Sequence, residues 1–180
     1  MKVLRSVSWL VFVSFFLLGQ FSWGQTYEML MDYPGVTGEA AGGESIIQSM
    51  VWGVEREVTN QEGIPSVSPP DFSKLSITKK MDSASPLLAQ KAAIGSLDGS
   101  CEFVINHAQT GNMLYKLVLN EVQVVNYSVS IDGGGDPVEV IGFTYTSITW
   151  QYQRLDEGGL AVGKVSDELG YNLVTATQIP

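Results

Sequence analysis

The chain has very few of the residues from which catalytic and metal centres are usually built. Its 180 residues include one cysteine, Cys101, and one histidine, His107. A single cysteine excludes an intramolecular disulfide and a zinc site made of cysteines. Residues 101–105 are typical of a strand, so we expect Cys101 to be a buried, structural thiol. A Ser-His-Asp or Cys-His pair would have to use His107, and no nucleophile motif lies near it. We expect this histidine at a strand end, either on the surface or in a hydrogen bond.

Positive charge is also scarce. Ten Lys and Arg residues stand against 19 Asp and Glu residues, which gives a formal net charge of −9. Removal of a leader that carries Lys2 and Arg5 makes the charge more negative still. Such a chain is repelled by nucleic-acid phosphates and by anionic membrane surfaces. We therefore expect no nucleic-acid partner.

No stretch of the sequence has the pattern of a ligand-binding loop. Residues 132–136, Asp-Gly-Gly-Gly-Asp, lack the alternating ligands and closing Glu of an EF-hand and the lysine of a phosphate loop. A glycine-rich hairpin is the better interpretation. Asn126-Tyr127-Ser128 fits the glycosylation pattern and also fits chance. The sequence thus predicts no catalytic residues, no metal site and no cofactor, and so no enzyme.

The first 24 residues are typical of a secretory signal peptide. A positively charged start precedes an uncharged, largely apolar stretch at residues 7–18, and the small residues Ser22 and Gly24 precede a cut between Gly24 and Gln25. The apolar stretch is about 12 residues long, whereas a helix that spans a bilayer needs about 20. We expect cleavage and export to the periplasm or the exterior, with no membrane span afterwards; an uncleaved anchor is the alternative.

Most of the remaining chain has the composition of strands. Val, Ile, Thr and aromatic residues are enriched in several stretches, which glycine and proline clusters separate. The predicted strands are residues 27–33, 45–58, 71–80, 100–108, 112–130 and 137–154, and residues 61–70, with three prolines, are a predicted projecting loop.

The two longest predicted strands each change the phase of their apolar residues. In the first, apolar residues are at odd positions up to Leu119 and at even positions from Val122, and residues 137–154 show the same change. A change of phase moves the apolar side chains to the other face. A bulge near residues 120–121 and another near residues 146–147 would keep them buried. We therefore predict two sheets that curl around one core.

One short helix is predicted over residues 86–94. Ser85 is the predicted N-cap, Pro86 occupies the first helical position, and Gly95 ends the helix. Its expected sheet-facing residues are Leu88 and Ala92, with Ile94 beside them. The predicted fold is thus dominated by β-structure: a two-sheet barrel or sandwich with one helix packed at its side.

The segment 71–86, which runs from a strand into this helix, resembles the most recognisable stretch of the Hcp family of type VI secretion tube proteins, F-s-x-L-x-I-T-K-x-x-D-x-A-S-P. Further similar segments are Trp52-Gly53, residues 119–122, residues 126–128, the turn 132–136, and residues 139–143 and 148–152. The resemblance covers about residues 27–154.

This resemblance implies a β-barrel-like fold and a hexameric ring with an open lumen. In the family, rings stack into a tube that a contractile sheath expels together with a spike, and some members hold effector proteins in the lumen. The family has no catalytic residues to carry over. The leader is a departure, because typical members assemble in the cytoplasm without one.

The resulting division of the chain is a signal peptide at residues 1–24, an Hcp-like β-barrel domain at residues 25–154 and a carboxy-terminal extension at residues 155–180. We expect the extension to add a strand or to serve as a docking tail. The favoured function is a ring-forming structural protein of a type VI apparatus. The alternative is an exported binding or carrier module that keeps the fold outside any such apparatus.

Overall fold

The computed structural model describes residues 26–61 and 63–180. The predicted leader and its cut between Gly24 and Gln25 lie outside the described residues. Within these residues the chain forms fifteen strands and one helix, which confirms the predicted class. The elements are β1 (Tyr27–Asp32), β2 (Ser45–Ile47), β3 (Ser49–Val51), β4 (Val54–Glu55), β5 (Val58–Gln61), β6 (Ile64–Val67), β7 (Asp71–Phe72), β8 (Leu75–Lys80), α1 (Ser85–Ile94), β9 (Cys101–His107), β10 (Met113–Asn120), β11 (Gln123–Ser130), β12 (Val138–Thr144), β13 (Ser147–Tyr152), β14 (Leu169–Asn172) and β15 (Thr177–Ile179).

Two antiparallel sheets enclose the core, as the sequence predicts. One sheet has seven strands in the order β15-β14-β13-β10-β9-β1-β2, and the other has four in the order β11-β12-β8-β3. Inward-facing side chains of both sheets are buried together. The largest fully buried apolar side chains are Tyr33, Phe103, Phe143, Met31, Ile47, Leu75, Ile77, Leu88, Leu117, Leu119 and Ile141.

Each of the two long predicted strands is divided between the sheets. The first ends as β10 at Asn120 and continues as β11 from Gln123, and the second passes from β12 to β13 across residues 145–146. At the first of these two changes of sheet, Glu121 has a φ of 48°, in the left-handed region. The phase change is therefore correct, but the bulges predicted at residues 120–121 and 146–147 are wrong. The chain changes sheet at both places, so the opposite face of each strand meets the same core.

A third stretch, residues 45–80, also differs from the prediction. The strand predicted over residues 45–58 is broken into β2, which pairs with β1, and β3, which pairs with β8 in the other sheet. The proline-rich stretch 61–70 is not a loop throughout: β5 and β6 form a two-stranded hairpin around the turn at Gly63, whose φ is +84°. Pro65 is tolerated there because an edge strand of a hairpin leaves one row of backbone groups unpaired.

The helix is confirmed, with two corrections. Gly95 is its left-handed C-cap, and the Gly95 N–H donates to the Lys91 carbonyl oxygen. The N-cap is Ala84 and not Ser85, because the Ser85 hydroxyl accepts from the Asp82 N–H and donates to a buried carboxylate. Leu88 is buried and Ala92 packs against the core, whereas Ile94 is 69% exposed and does not contribute to it.

The carboxy-terminal extension contributes strands. β14 pairs with β13, and β15 pairs with β14, so the seven-stranded sheet runs on into the extension. Gly170 makes this close pairing possible, because a Cβ there would lie 2.5 Å from the Ile148 carbonyl oxygen. Of the two expectations for residues 155–180, added strand structure is the one that the fold bears out.

Candidate assembly surfaces

A single long ribbon runs from the sheets to an exposed tip. β3 pairs with β8, β4 with β7, and β5 with β6, so that the three pairs follow one another along the chain. Three apolar side chains of the hairpin are mostly exposed: Ile64, beside the turn, at 72%, and the pair farthest from the turn, Val58 at 60% and Val67 at 52%. A two-stranded hairpin is at best marginally stable alone in water. The hairpin therefore leaves apolar side chains open to solvent.

The other end of the ribbon carries a groove. Its volume is about 430 Å³, and it is lined by Glu39, Ile46, Ile47, Gln48, Lys80, Met81 and Asp82. Ile46 is 49% exposed and Met81 is 43% exposed, so the groove has an apolar surface open to solvent. Lys80 forms an ion pair with Asp136 at its rim.

A buried ion cluster fixes the geometry of this end. Lys79 and Glu139 lie directly opposite each other on β8 and β12, and both side chains are fully buried. The Lys79 ammonium lies 2.6 Å from a Glu139 carboxylate oxygen and 2.6 Å from Asp82 Oδ1. Buried charges persist only when they are paired and hydrogen-bonded. This cluster accounts for the Lys and Asp of the strand-to-helix motif.

Hydroxyl groups complete the cluster. Tyr127 donates to Glu139 Oε2 at 2.7 Å, and Ser85 donates to Glu139 Oε1 at 3.0 Å. Burial, together with the hydrogen bond to Glu139, raises the pKa of Tyr127 to about 12. Asp82 Oδ1 also accepts the Ala84 N–H, which places the first turn of α1. The cluster therefore joins β8, β11, β12 and α1.

A second polar cluster holds the other end of the helix. Asp98 accepts from Lys91, from the Tyr33 hydroxyl and from the Ser96 hydroxyl. Burial acts to raise the pKa of Asp98, but the bonds from Lys91, Tyr33 and Ser96 outweigh it and keep the pKa below its ordinary value. Burial and the Asp98 carboxylate raise the pKa of Tyr33. The two clusters leave α1 fixed to the sheets at both ends.

The side chains of His107 and Cys101 are both buried. His107 is 7% exposed, its Nδ1 lies 3.3 Å from Thr110 Oγ1, and Tyr27 packs edge-on to its ring. Of the two expectations for this residue, the hydrogen bond is correct and the surface position is wrong. Cys101 is fully buried, as predicted, and burial raises the pKa of its thiol well above the ordinary value.

Within residues 26–61 and 63–180, no group of three or more His, Cys, Asp or Glu side chains is placed to hold a metal ion. In the same part of the chain, no helix is long and apolar enough to cross a membrane. Residues 132–136 lie in the connection between β11 and β12, and Asn126 is exposed on β11.

Local sequence patterns do not single out Glu139 or Tyr127 as members of a cluster. A signal for a buried acid is nevertheless present, because Lys79 continues the inward series Leu75 and Ile77 on β8. A lysine on the buried face of a strand requires a carboxylate partner. Its position about sixty residues later depends on the pairing of β8 with β12, which the sequence alone does not specify.

Comparison with known proteins agrees with a fold dominated by β-structure. Residues 31–152 match the family described as "Type VI secretion system effector, Hcp". No curated protein sequence matches the chain. A solved type six secretion system protein is 27% identical, with a TM-score of 0.78, and the match covers 85% of this chain and 99% of that one.

Two further solved structures share the fold at lower identity. Hcp1 from Salmonella typhimurium is 20% identical, with a TM-score of 0.69 and coverage of 86% of this chain and 100% of that one. A type VI secretion system effector from Yersinia pestis is 19% identical, with a TM-score of 0.57 and coverage of 80% and 98%. The chain belongs to the Hcp family of type VI secretion proteins. This is a family of structural, secreted tube proteins and not of enzymes.

Proposed function

We propose that this protein is an exported, ring-forming subunit that assembles into hexamers and stacked tubes in a type VI secretion apparatus. The observation that carries the proposal is the exposed apolar tip of the β5–β6 hairpin on an Hcp fold. A head-to-tail interface between identical copies closes into a ring when its rotation permits, and rings with two different faces stack in one direction. The expected partners are further copies, spike and sheath components, and effector proteins in the lumen.

The outer face of the four-stranded sheet supports a role as the wall of the lumen. Val140 lies opposite Thr78 on one side and Ser128 on the other, and β8 and β12 alternate between this face and the core. Lys79 and Glu139 point to the core, so Lys80 is the one exposed charge on the four strands. In an acidic protein, a face of this kind repels neither acidic nor basic cargo strongly.

The mass of the assembly tests the proposal. The chain without residues 1–24 is purified and examined by light scattering after gel filtration and by electron microscopy. We expect a particle of six chains with a central hole. A monomer at high protein concentration would contradict ring formation and favour the exported carrier module.

Export is tested separately. The expected leader predicts that protein recovered outside the cytoplasm begins at Gln25, which its intact mass reports. A matched chain in which residues 7–18 carry two added charges should remain in the cell at full length. Recovery of the full-length chain from the culture supernatant would contradict cleavage.

A further inference from the structure

Both strands at the base of the ribbon stack on the seven-stranded sheet. Trp52, between β3 and β4, stacks on Trp150 of β13, with 5.8 Å between the ring centroids. Phe72 of β7 stacks on Tyr171 of β14, with 5.3 Å between the centroids. The first stack joins the ribbon to a strand inside the sheet, and the second joins it to the carboxy-terminal extension. The direction of the ribbon therefore depends in part on the extension.

The β14–β15 hairpin, which supplies Tyr171, is the less firmly held of these two supports. β15 lies at the edge of the seven-stranded sheet and pairs with β14 alone, and Gly170 is the one buried residue of these two strands. Ala176, in the turn between them, has a φ of 54°, in the left-handed region that disfavours a Cβ. Elements with few buried residues and a strained backbone open at a low cost in free energy.

Packing between the β14–β15 hairpin and the ribbon is incomplete. A cavity of about 240 Å³ lies between residues 69–72 on one side and Tyr171, Leu173 and Ala176 on the other. An open space of this kind removes contacts from the side chains that line it. The stack of Tyr171 on Phe72 therefore carries much of the coupling between the two parts.

We propose that the β14–β15 hairpin, residues 169–179, is a releasable strap that sets the direction of the ribbon through the stack of Tyr171 on Phe72. While the strap is docked, aromatic stacks hold both strands of the ribbon base. When the strap detaches, the ribbon keeps the stack of Trp52 on Trp150 and turns about it. A substitution in the strap shifts the ratio of the docked and detached states. The device belongs to the single chain and does not depend on ring formation.

The first experiment measures the direction of the ribbon in the chain without residues 1–24. Spin labels are attached at Ser66→Cys on β6 and Gln90→Cys on α1, which are both exposed, while the native Cys101 is buried and should take no label. Labelled chains are diluted with unlabelled ones, so that pulsed electron paramagnetic resonance reports the distance within one chain. We expect one narrow distance distribution in the parent protein.

Substitutions at Tyr171 then test the stack. Tyr171→Ser should broaden the distance distribution, whereas Tyr171→Phe keeps the ring and should leave it narrow. The matched control is Tyr152→Ser, because Tyr152 lies on β13, is 50% exposed and, within the part of the chain that the structure describes, does not stack on the ribbon. A distribution that stays narrow in Tyr171→Ser would overturn the proposal.

The second experiment asks whether the strap and the ribbon base open together. The Leu173 N–H in the strap and the Ser73 N–H at the ribbon base each donate to a backbone carbonyl oxygen. Ala176→Gly removes the left-handed strain and should slow hydrogen exchange of both amides about fivefold, while Tyr171→Ser should speed both by a similar factor. Ala108→Gly, at an exposed alanine outside the left-handed region, should change neither.

The two amides decide the outcome together. A change at Leu173 without a change at Ser73 would show that the ribbon is held without the strap, and the proposal would be wrong. If Tyr171→Ser does not fold, Ala176→Gly applies the same criterion alone. Both experiments report on single chains, so a failure to form rings would contradict the proposed function and leave the strap in place.

Discussion

Removal of the Lys79 ammonium should destabilise the fold strongly. Lys79→Met leaves Glu139 fully buried without its cation, although Tyr127 and Ser85 still donate to it. Loss of one partner of a buried pair costs about 3–5 kcal/mol. For a domain of this size, 1 kcal/mol corresponds to a change of about 2–4 °C in Tm, so we expect a decrease of about 6–20 °C. Urea and thermal unfolding followed by circular dichroism measure both quantities.

Two further variants separate the charge effect from a change in packing. Lys79→Met/Glu139→Gln is neutral at both positions and keeps an acceptor for Tyr127, so it should recover most of the lost stability. Lys80→Met removes the neighbouring lysine, which is 59% exposed, and should leave Tm unchanged. All variants are compared at one protomer concentration, because assembly adds to apparent stability. A wild-type Tm for Lys79→Met, or a double variant no better than the single one, would refute this account of the cluster.

Three other predictions concern packing and ionisation. Gly159→Ala should cost about 1–3 kcal/mol more stability in urea unfolding than its control Gly163→Ala. A Cβ at Gly159 would overlap the His107 ring, whereas Gly163 has a similar φ and open space around it. Equal costs of the two substitutions would contradict this prediction. The pKa of Tyr127 is raised to about 12, so the stability that this hydroxyl contributes is fully present below pH 10 and is lost between pH 10 and about 12. In Tyr127→Phe this part of the pH dependence of stability should be absent. The absorbance titration at alkaline pH should also lack one late tyrosine ionisation. Cys101 should react with a thiol reagent only after unfolding, and prompt labelling of the native protein would contradict its burial.

Alternation of apolar residues predicted the two sheets correctly, because burial of one face leaves a period of two in the sequence. The change of phase after Leu119 marked a real corner. The sequence does not distinguish a bulge from a change of sheet at this place, since both move the next apolar residues to even positions. The corner is made by a left-handed residue, Glu121, whose side chain gives no such signal.

The remaining errors have a common cause in long-range pairing. Local rules predict Ser85 as the N-cap, but its hydroxyl donates to Glu139, which is 54 residues away in the sequence. The prolines of residues 61–70 predict a loop, but Pro65 lies on an edge of the hairpin around Gly63, where no backbone donor is needed. Local sequence specifies which residues favour a cap or a strand, and the pairing of distant strands decides between the choices.

The four passages of the chain between the two large sheets also have a mechanical consequence. The chain passes from one sheet to the other at Gln48, at residues 81–100, which include α1, at residues 121–122 and at residues 145–146. Tension applied to one sheet is therefore carried into the other by covalent backbone as well as by packed side chains. We therefore expect the two sheets of this chain to resist separation under load as one unit.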